Sequence, residues 1–273
     1  MPPLSTPLTN PRSDRVKAVR ALSRRSVRVK TGRFLAEGPQ SVREAVRHRP
    51  DLVVDLYVTA EAVERHPDIV SAADEAGLFR HEVSPEVLAA MCDTPAPQGV
   101  AAVCRVETAS LEDVLAGAPR FVVVLTHVRD PGNAGTVIRG ADAAGADAVL
   151  VSDASVDVHA PKVVRSTAGS LFHLPVVTGL PVEATLARLR RAGLRVLAAD
   201  GGGHALVGDV DLTGPHAWVM GNEAWGLEPQ VLEACDEVVR VPIYGRAESL
   251  NLAMAATVCL YASASALNAG ANR

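Results

Sequence analysis

The feature that most constrains this chain is a series of short segments that are apolar on every residue. FVVVL, AVLVS and RVLAA do not alternate between apolar and polar positions, so strands made of them must be covered on both faces, as in a parallel sheet. Between them lie stretches with helical spacing. The pattern predicts strands at 121–126, 148–152, 175–178, 195–199, 217–220 and 238–241, and helices at 134–144, 162–171 and 182–192, with a long terminal helix over 251–267. Such alternation defines an α/β parallel-sheet domain with helices on both sides. Hydrophobic residues make up 48% of the chain but aromatics only 3%, so the core is expected to pack small side chains closely.

Upstream, GRFLAEGPQSVREAV reads as strand, Gly-Pro break and helix, DLVVDLYVT as a strand, and ERHPDIVSAADEAG as a polar helix ended by Gly77. HEVSPEVLAAMCDTP and GVAAVCRV complete a small α/β unit over 1–106. ETASLEDVLAGAP breaks the pattern and reads as a linker, 107–118, ahead of a second domain at 119–273. Residues 1–11, rich in Pro, Ser and Thr, are expected to be disordered. DRVKAVRALSRRSVRV reads as one basic amphipathic helix from Ser13 to Arg28, with Val16, Val19 and Leu22 on its apolar side.

Charge is placed unevenly. Residues 1–50 hold 12 Lys and Arg against 3 Asp and Glu, a balance of +9 that leaves −13 for the rest of a chain whose formal total is −4. A basic N-terminal region on an acidic chain points to a polyanionic partner, most simply a nucleic acid. Cys92, Cys104, Cys235 and Cys259 have neither metal-ligand spacing nor a disulfide framework, so ordinary buried thiols and no metal are expected. With no apolar run of about 18 residues and no apolar leader, the expectation is a cytoplasmic protein without a membrane segment.

The usual phosphate loops are missing. There is no GxGxxG, and although Gly135 and Gly140 have the P-loop spacing, Ala141 and Asp142 stand where Lys and Ser or Thr are required. DPGNAGTVIRG places Asn133 at a strand end, where it caps a helix near Ala134, meets a ligand, or both. Arg139 lies beside Gly140 on a helix of small apolar residues and either extends to solvent or serves a ligand. In VMGNEAWGL, Glu223 follows a buried strand, where a carboxylate is paired, exposed or poised for a ligand. Ser249 and Asn251 in ESLNLAMAATVCLY suit caps of the last helix, and Lys162 and Arg165 share one side of a helix in KVVRSTAG.

Together and in this order, NAGTVIRGADAAGADAVL, VMGNEAWGL and VPIYGRAESLNLAMAATVCLY resemble the three motifs of the SpoU (TrmH) family of RNA ribose 2′-O-methyltransferases. The N-terminal part is similar to the small ribosomal-protein-like RNA-binding domain of many members. The resemblance implies a trefoil-knot methyltransferase domain behind that RNA-binding domain, with S-adenosylmethionine as cofactor near Ala198, Gly221, Val241, Ile243 and Leu250. It implies catalytic positions at Arg139, Asn133, Glu223, Asn251 and Ser249. Because an arginine stays protonated, Arg139 is expected to stabilise the developing alkoxide and anchor a phosphate, with Glu223 pairing with or orienting it. It also implies a homodimer in which Arg139 of one subunit serves cofactor held by the other. Arg165 and the basic helix residues Arg15, Lys17, Arg20, Arg24, Arg25 and Arg28 are the expected RNA contacts. Large-subunit ribosomal RNA is the expected substrate, with transfer RNA as the alternative. A non-catalytic RNA-binding protein and an ordinary nucleotide-dependent enzyme are the competing classes, disfavoured by the intact motifs and by the missing phosphate loops.

Overall fold

The computed structural model describes residues 7–107 and 109–269. They divide into two compact units: the first runs to Glu107 and takes up Asp157–His173, and the second is formed by the chain between these stretches and by everything from Leu174 on. The excursion 157–173 is a difference from the expected boundaries, which assigned it to the second domain. Its physical reason is visible in the core, since Val164 and Phe172 are buried among Phe34, Val42, Ala45 and Cys104 of the first unit.

The first unit begins with α1 (Asp14–Ala21) and α2 (Arg25–Thr31), followed by β1 (Arg33–Glu37), α3 (Pro39–His48), β2 (Val53–Val58), α4 (Ala60–Arg65), α5 (Pro67–Glu75), β3 (Arg80–Glu82), α6 (Pro85–Met91) and β4 (Val100–Arg105). Its four strands lie in the order β1-β4-β2-β3, antiparallel except for the β2–β3 pair. The single basic helix expected over 13–28 is two helices. Ser13 caps α1 by accepting from Val16 N–H, and the helix stops where Leu22 turns into the core. Arg28 then donates to the carbonyls of Leu22 and Ser23, both at 2.8 Å, which fixes the break. Within the N-terminal stretch expected to be disordered, residues 7–11 are ordered, with Leu8 bridging Val83 in parallel; residues 1–6 lie outside the described residues.

The second unit opens with α7 (Leu111–Ala116), where a linker was expected. A capping box explains the helix: Ser110 Oγ accepts from Asp113 N–H while Asp113 accepts from Ser110 N–H, and Leu111 and Val114 are buried beneath it. Then come β5 (Phe121–Leu125), α8 (Pro131–Ala143), β6 (Ala148–Ser152), the excursion with α9 (Pro161–Thr167), β7 (Val176–Leu180), α10 (Val182–Arg191), β8 (Arg195–Ala199), β9 (Ala205–Leu206), β10 (His216–Met220), α11 (Pro229–Glu233), β11 (Glu237–Arg240) and α12 (Leu252–Asn268). All seven strands are parallel, in the order β7-β6-β5-β10-β8-β11-β9. One face of this sheet is sealed by an aliphatic cluster of Val122, Val124, Leu150, Leu186, Val196 and Val219, with only small or branched side chains, as the low aromatic content predicts. Three of the four cysteines are buried, and burial pushes the Cys104 thiol up to about 12. No helix among the described residues is long and apolar enough to cross a membrane.

Candidate active site

β10 is inserted between β5 and β8, so the chain leaves β5 toward one edge of the sheet and leaves β8 toward the other. In open parallel sheets that reversal opens a crevice at the carboxyl ends of the strands. The three ends are level, because Met220 pairs with Leu125 on one side and Ala199 on the other. Thr126 extends the alignment one residue, its N–H and Oγ both donating to Met220 O at 2.9 Å.

At this point the loops after β5, β10 and β11 are joined by one chain of hydrogen bonds. Glu223 accepts from the backbone N–H groups of Arg129 at 3.2 Å and Asp130 at 3.0 Å, and from Asn133 Nδ2 at 3.3 Å. Asn133 Oδ1 in turn accepts from Asn251 Nδ2 at 3.0 Å, and Asn251 Oδ1 accepts from Ala253 N–H at 2.9 Å as the cap of α12. Asn222 fastens the base of its loop by donating to His127 O at 2.6 Å. Three residues expected from separate segments, Asn133, Glu223 and Asn251, are thus brought together.

Their roles differ from expectation in two respects. Asp130, not Asn133, caps α8, which starts at Pro131: its Oδ1 accepts from Asn133 N–H at 2.7 Å, leaving the Asn133 amide side chain for the network. Among the described residues Glu223 forms no ion pair with Arg139; it accepts instead from Arg129, Asp130 and Asn133. Arg139 is exposed on α8, six residues beyond Asn133.

Beside the network lies a cavity of about 310 Å³. Its lining includes Gly221, Val241, Ile243 and Leu250 of the expected cofactor residues, together with Ser249 and Glu223. Ala198 is absent from the lining because its side chain is fully buried in the aliphatic cluster; the next residues, Ala199, Asp200 and Gly201, line the cavity instead. A Cβ on Gly221 would stand 2.3 Å from the Gly226 carbonyl carbon, so only glycine lets these two loop strands meet. Asp200 and Glu248, unexpected from sequence, add carboxylates to a lining of glycine and aliphatic residues. Main-chain groups at strand ends, small residues and carboxylates suit a compact organic ligand carrying positive charge.

A second, more open cavity of about 500 Å³ lies along α8 and α12, lined by Asn133, Thr136, Asn251, Met254, Thr257 and Val258 among others. On α12, Met254 and Val258, which line this cavity, and Tyr261 beyond it are 60%, 41% and 50% exposed at helical spacing. Arg139 lines neither cavity.

In the first unit, several expected RNA contacts are committed elsewhere. Arg28 is buried, its Nε and Nη2 donating to Asp157 Oδ2 at 3.0 and 2.6 Å, which ties α2 to the excursion. Arg165 donates to Glu37 Oε2 at 2.8 Å and Asp93 Oδ2 at 3.1 Å, while the buried Glu37 also accepts from the N–H groups of Asp93 and Thr94. Arg20 donates to Cys92 O, and Arg15 reaches His81 and Asp55. Lys17 pairs with its exposed helical neighbour Asp14, and Arg24 and Arg25 are exposed. Nothing in the sequence marks Arg28 and Arg165 as inward, because their carboxylate partners Asp157, Glu37 and Asp93 are remote in the chain, the nearest of them 72 positions away.

The second unit is therefore an α/β parallel-sheet domain with a ligand crevice at its topological switch point, closed by loops that meet through amide side chains. Residues 120–261 match the model of the SpoU rRNA methylase family, and residues 13–102 match that of an MRM3-like substrate binding domain. A 23S rRNA (guanosine(2553)-2′-O)-methyltransferase of Bacillus subtilis is 37% identical over 92% of this chain and 96% of its own length. A 23S rRNA (uridine(2479)-2′-O)-methyltransferase of Streptomyces viridochromogenes is 34% identical, covering 88% of this chain and 85% of the relative. Among solved structures, the AdoMet complex of the SpoU methyltransferase AviRb from the same organism superposes with a TM-score of 0.82 at 31% identity, over 94% of this chain and all of that one. The chain belongs to the SpoU rRNA methylase family.

Proposed function

We propose that this protein transfers a methyl group from S-adenosylmethionine to a ribose 2′-hydroxyl of 23S ribosomal RNA, with the second unit as the methyltransferase domain and the first as the RNA-binding domain. The observation that carries this reading is the Glu223–Asn133–Asn251 network, which holds three loops together at the mouth of the crevice. The carboxylates and close-packed glycines of the smaller cavity fit the cationic cofactor, held by Gly221, Val241, Ile243 and Leu250 with Asp200 and Glu248 nearby. When bound, that cofactor supplies an electrophilic methyl group and departs uncharged.

The residues of the chain then position the hydroxyl and help it lose its proton. Glu223 keeps Asn133 in one orientation, so the Asn133 and Asn251 amides present fixed groups to a ribose, and Ser249 adds a hydroxyl. Arg139 donates to the 2′-oxygen as negative charge develops there and anchors the adjoining phosphate, while the proton passes to solvent. Its exposed position, outside the linings of the two cavities described, suits service across a homodimer. The exposed Met254, Val258 and Tyr261 of α12 would bury their apolar area in such a dimer. The same reading includes a trefoil knot near β11 and a cytoplasmic location. Exposed Lys17, Arg24 and Arg25 remain the RNA contacts of the basic helices, with Arg15, Arg20, Arg28 and Arg165 holding the first unit together.

The direct test is transfer of labelled methyl from S-adenosylmethionine to unmodified 23S ribosomal RNA, 16S ribosomal RNA and transfer RNA in parallel. Label in 23S ribosomal RNA alone is expected. Label in transfer RNA alone would overturn the substrate and keep the chemistry.

A further inference from the structure

The loop that carries Glu223 also presents an aromatic side chain that the network leaves unused. Only two tryptophans occur in the chain, and they are placed in opposite ways. Trp218 is wholly buried in β10, its Nε1 donating to Ser263 Oγ at 2.8 Å. Trp225 is 52% exposed at the tip of the loop after that same strand. In a protein with 3% aromatics, an indole left half in water beside a ligand crevice calls for a partner.

The loop is built to hold that indole outward. Asn222 and Gly226 exchange two backbone hydrogen bonds of 2.9 Å, and Gly226 takes φ +70°, so residues 223–225 form a tight three-residue tip. The Arg129 guanidinium carbon lies 5.6 Å from the centre of the Trp225 ring, within cation–π range. Arg129 is anchored in turn, since its backbone N–H donates to Glu223 Oε2 at 3.2 Å. One carboxylate therefore fixes both the Asn133 amide and the backbone that brings Arg129 to Trp225.

We propose that Trp225, with Arg129 over one side of its ring, is the stacking platform for the nucleobase of the nucleotide whose ribose is methylated. This rests on the reading of the crevice as a ribose 2′-O-methyltransferase site. A base hangs from the ribose carbon next to the one bearing the 2′-hydroxyl, so a ribose held at the network brings its base to the neighbouring surface. RNA is read chiefly through unstacked bases laid on aromatic rings and guanidinium planes, and here both kinds of surface stand together with a positive charge for the flanking phosphate. Stacking accepts any base, so the platform positions the nucleotide and leaves the choice of base to other groups.

Because Trp218 is enclosed and Trp225 is open, intrinsic fluorescence reports on the platform directly. The wild-type protein with S-adenosylhomocysteine is titrated with an unmodified 23S ribosomal RNA transcript beside Trp225→Phe and Trp225→Ala variants. Quenching in the wild type that is absent in Trp225→Phe is expected. In methyl transfer, Trp225→Phe should stay within about threefold of wild type and Trp225→Ala should lose about 5- to 150-fold in kcat/KM, the range that base–aromatic stacking supplies. Wild-type rates in Trp225→Ala, or emission that ignores RNA and changes instead on dilution of the protein alone, would overturn the proposal, the latter placing a second copy of the chain on the indole. Quenching by RNA with no methyl transfer from the wild type would sink the reading of the site and with it the methylated nucleotide as the occupant, leaving Trp225 as an RNA contact alone.

Discussion

The arginine ties of the first unit and the site of the second unit use polar groups in different ways. In the first, arginines are structural: Arg28 is buried against Asp157, Arg165 spans Glu37 and Asp93, and Arg43 and Arg47 share Asp68, whose carboxyl the Arg43 hydrogen bond holds below its usual range. In the second, the polar machinery is built from uncharged amides around one carboxylate, and the arginine on the motif helix stands in solvent. A positive charge count identifies a polyanion-binding region only after the arginines consumed by internal partners are subtracted. A guanidinium offers five fixed donors, which makes it as useful for tying chain segments together as for meeting phosphate.

The contrast breaks most sharply through Arg139 and Arg28. Arg139→Ala should lower methyl transfer by about 10²- to 10³-fold, as loss of a group that stabilises developing charge does, with S-adenosylmethionine affinity measured by calorimetry and thermal stability both unchanged. Transfer at the wild-type rate would remove Arg139 from the mechanism. Arg28→Ala should do the reverse. It strands Asp157 and frees the carbonyls of Leu22 and Ser23, so urea unfolding should report a loss of about 3 kcal/mol while cofactor affinity is retained. A loss below about 0.5 kcal/mol would show that Arg28 is no structural tie.

The same division explains what was legible in the sequence. β6 and β8 fall where their apolar runs end, since a strand buried on both faces has no alternation to misread. α8 begins three residues before its expected start because Asp130 and Pro131, a side-chain cap and a first-turn proline, open it ahead of the apolar spacing. α7 was hidden in a linker for a similar reason: its capping box decides the helix, and six residues carry too little periodicity to show it. Asn133, Glu223 and Asn251 were identifiable as motif residues, yet the bonds among them depend on strand order, which places β10 beside β5. The inward turn of Arg165 was illegible for the same cause, because Glu37 and Asp93 are its neighbours only through the packing of Asp157–His173 into the first unit.

Acid should sharpen the comparison further. Burial lowers the His159 imidazole from 6.5 to about 4, against the opposing pull of Asp157, and the ring packs 4.8 Å from Phe34. The folded value lies below the unfolded one, so the unfolded chain takes up the proton first. The stability contributed by neutral His159 is therefore complete above pH 6.5 and is lost as pH falls from there toward 4. His216, in the second unit, is shifted down by burial as well. His159→Leu should flatten part of the decline in melting temperature between pH 6.5 and 4, leaving the share that belongs to His216. An unaltered profile would mean that His159 does not limit the first unit.

The smallest expected effect falls on the charges that are not consumed. Lys17, Arg24 and Arg25 are exposed and contribute little to the fold, so replacing all three with Gln should change stability by no more than about 0.5 kcal/mol. If they meet phosphates, binding of the 23S transcript should weaken, and the plot of log affinity against log salt should become shallower by about 0.7 to 0.9 for each contact removed. The slope is the more discriminating quantity, because a variant that merely perturbs α1 and α2 would lower affinity at every salt concentration without changing it. An unchanged slope would leave Lys17, Arg24 and Arg25 without a role in RNA binding, and the share of the N-terminal charge excess that they carry would not report a polyanion.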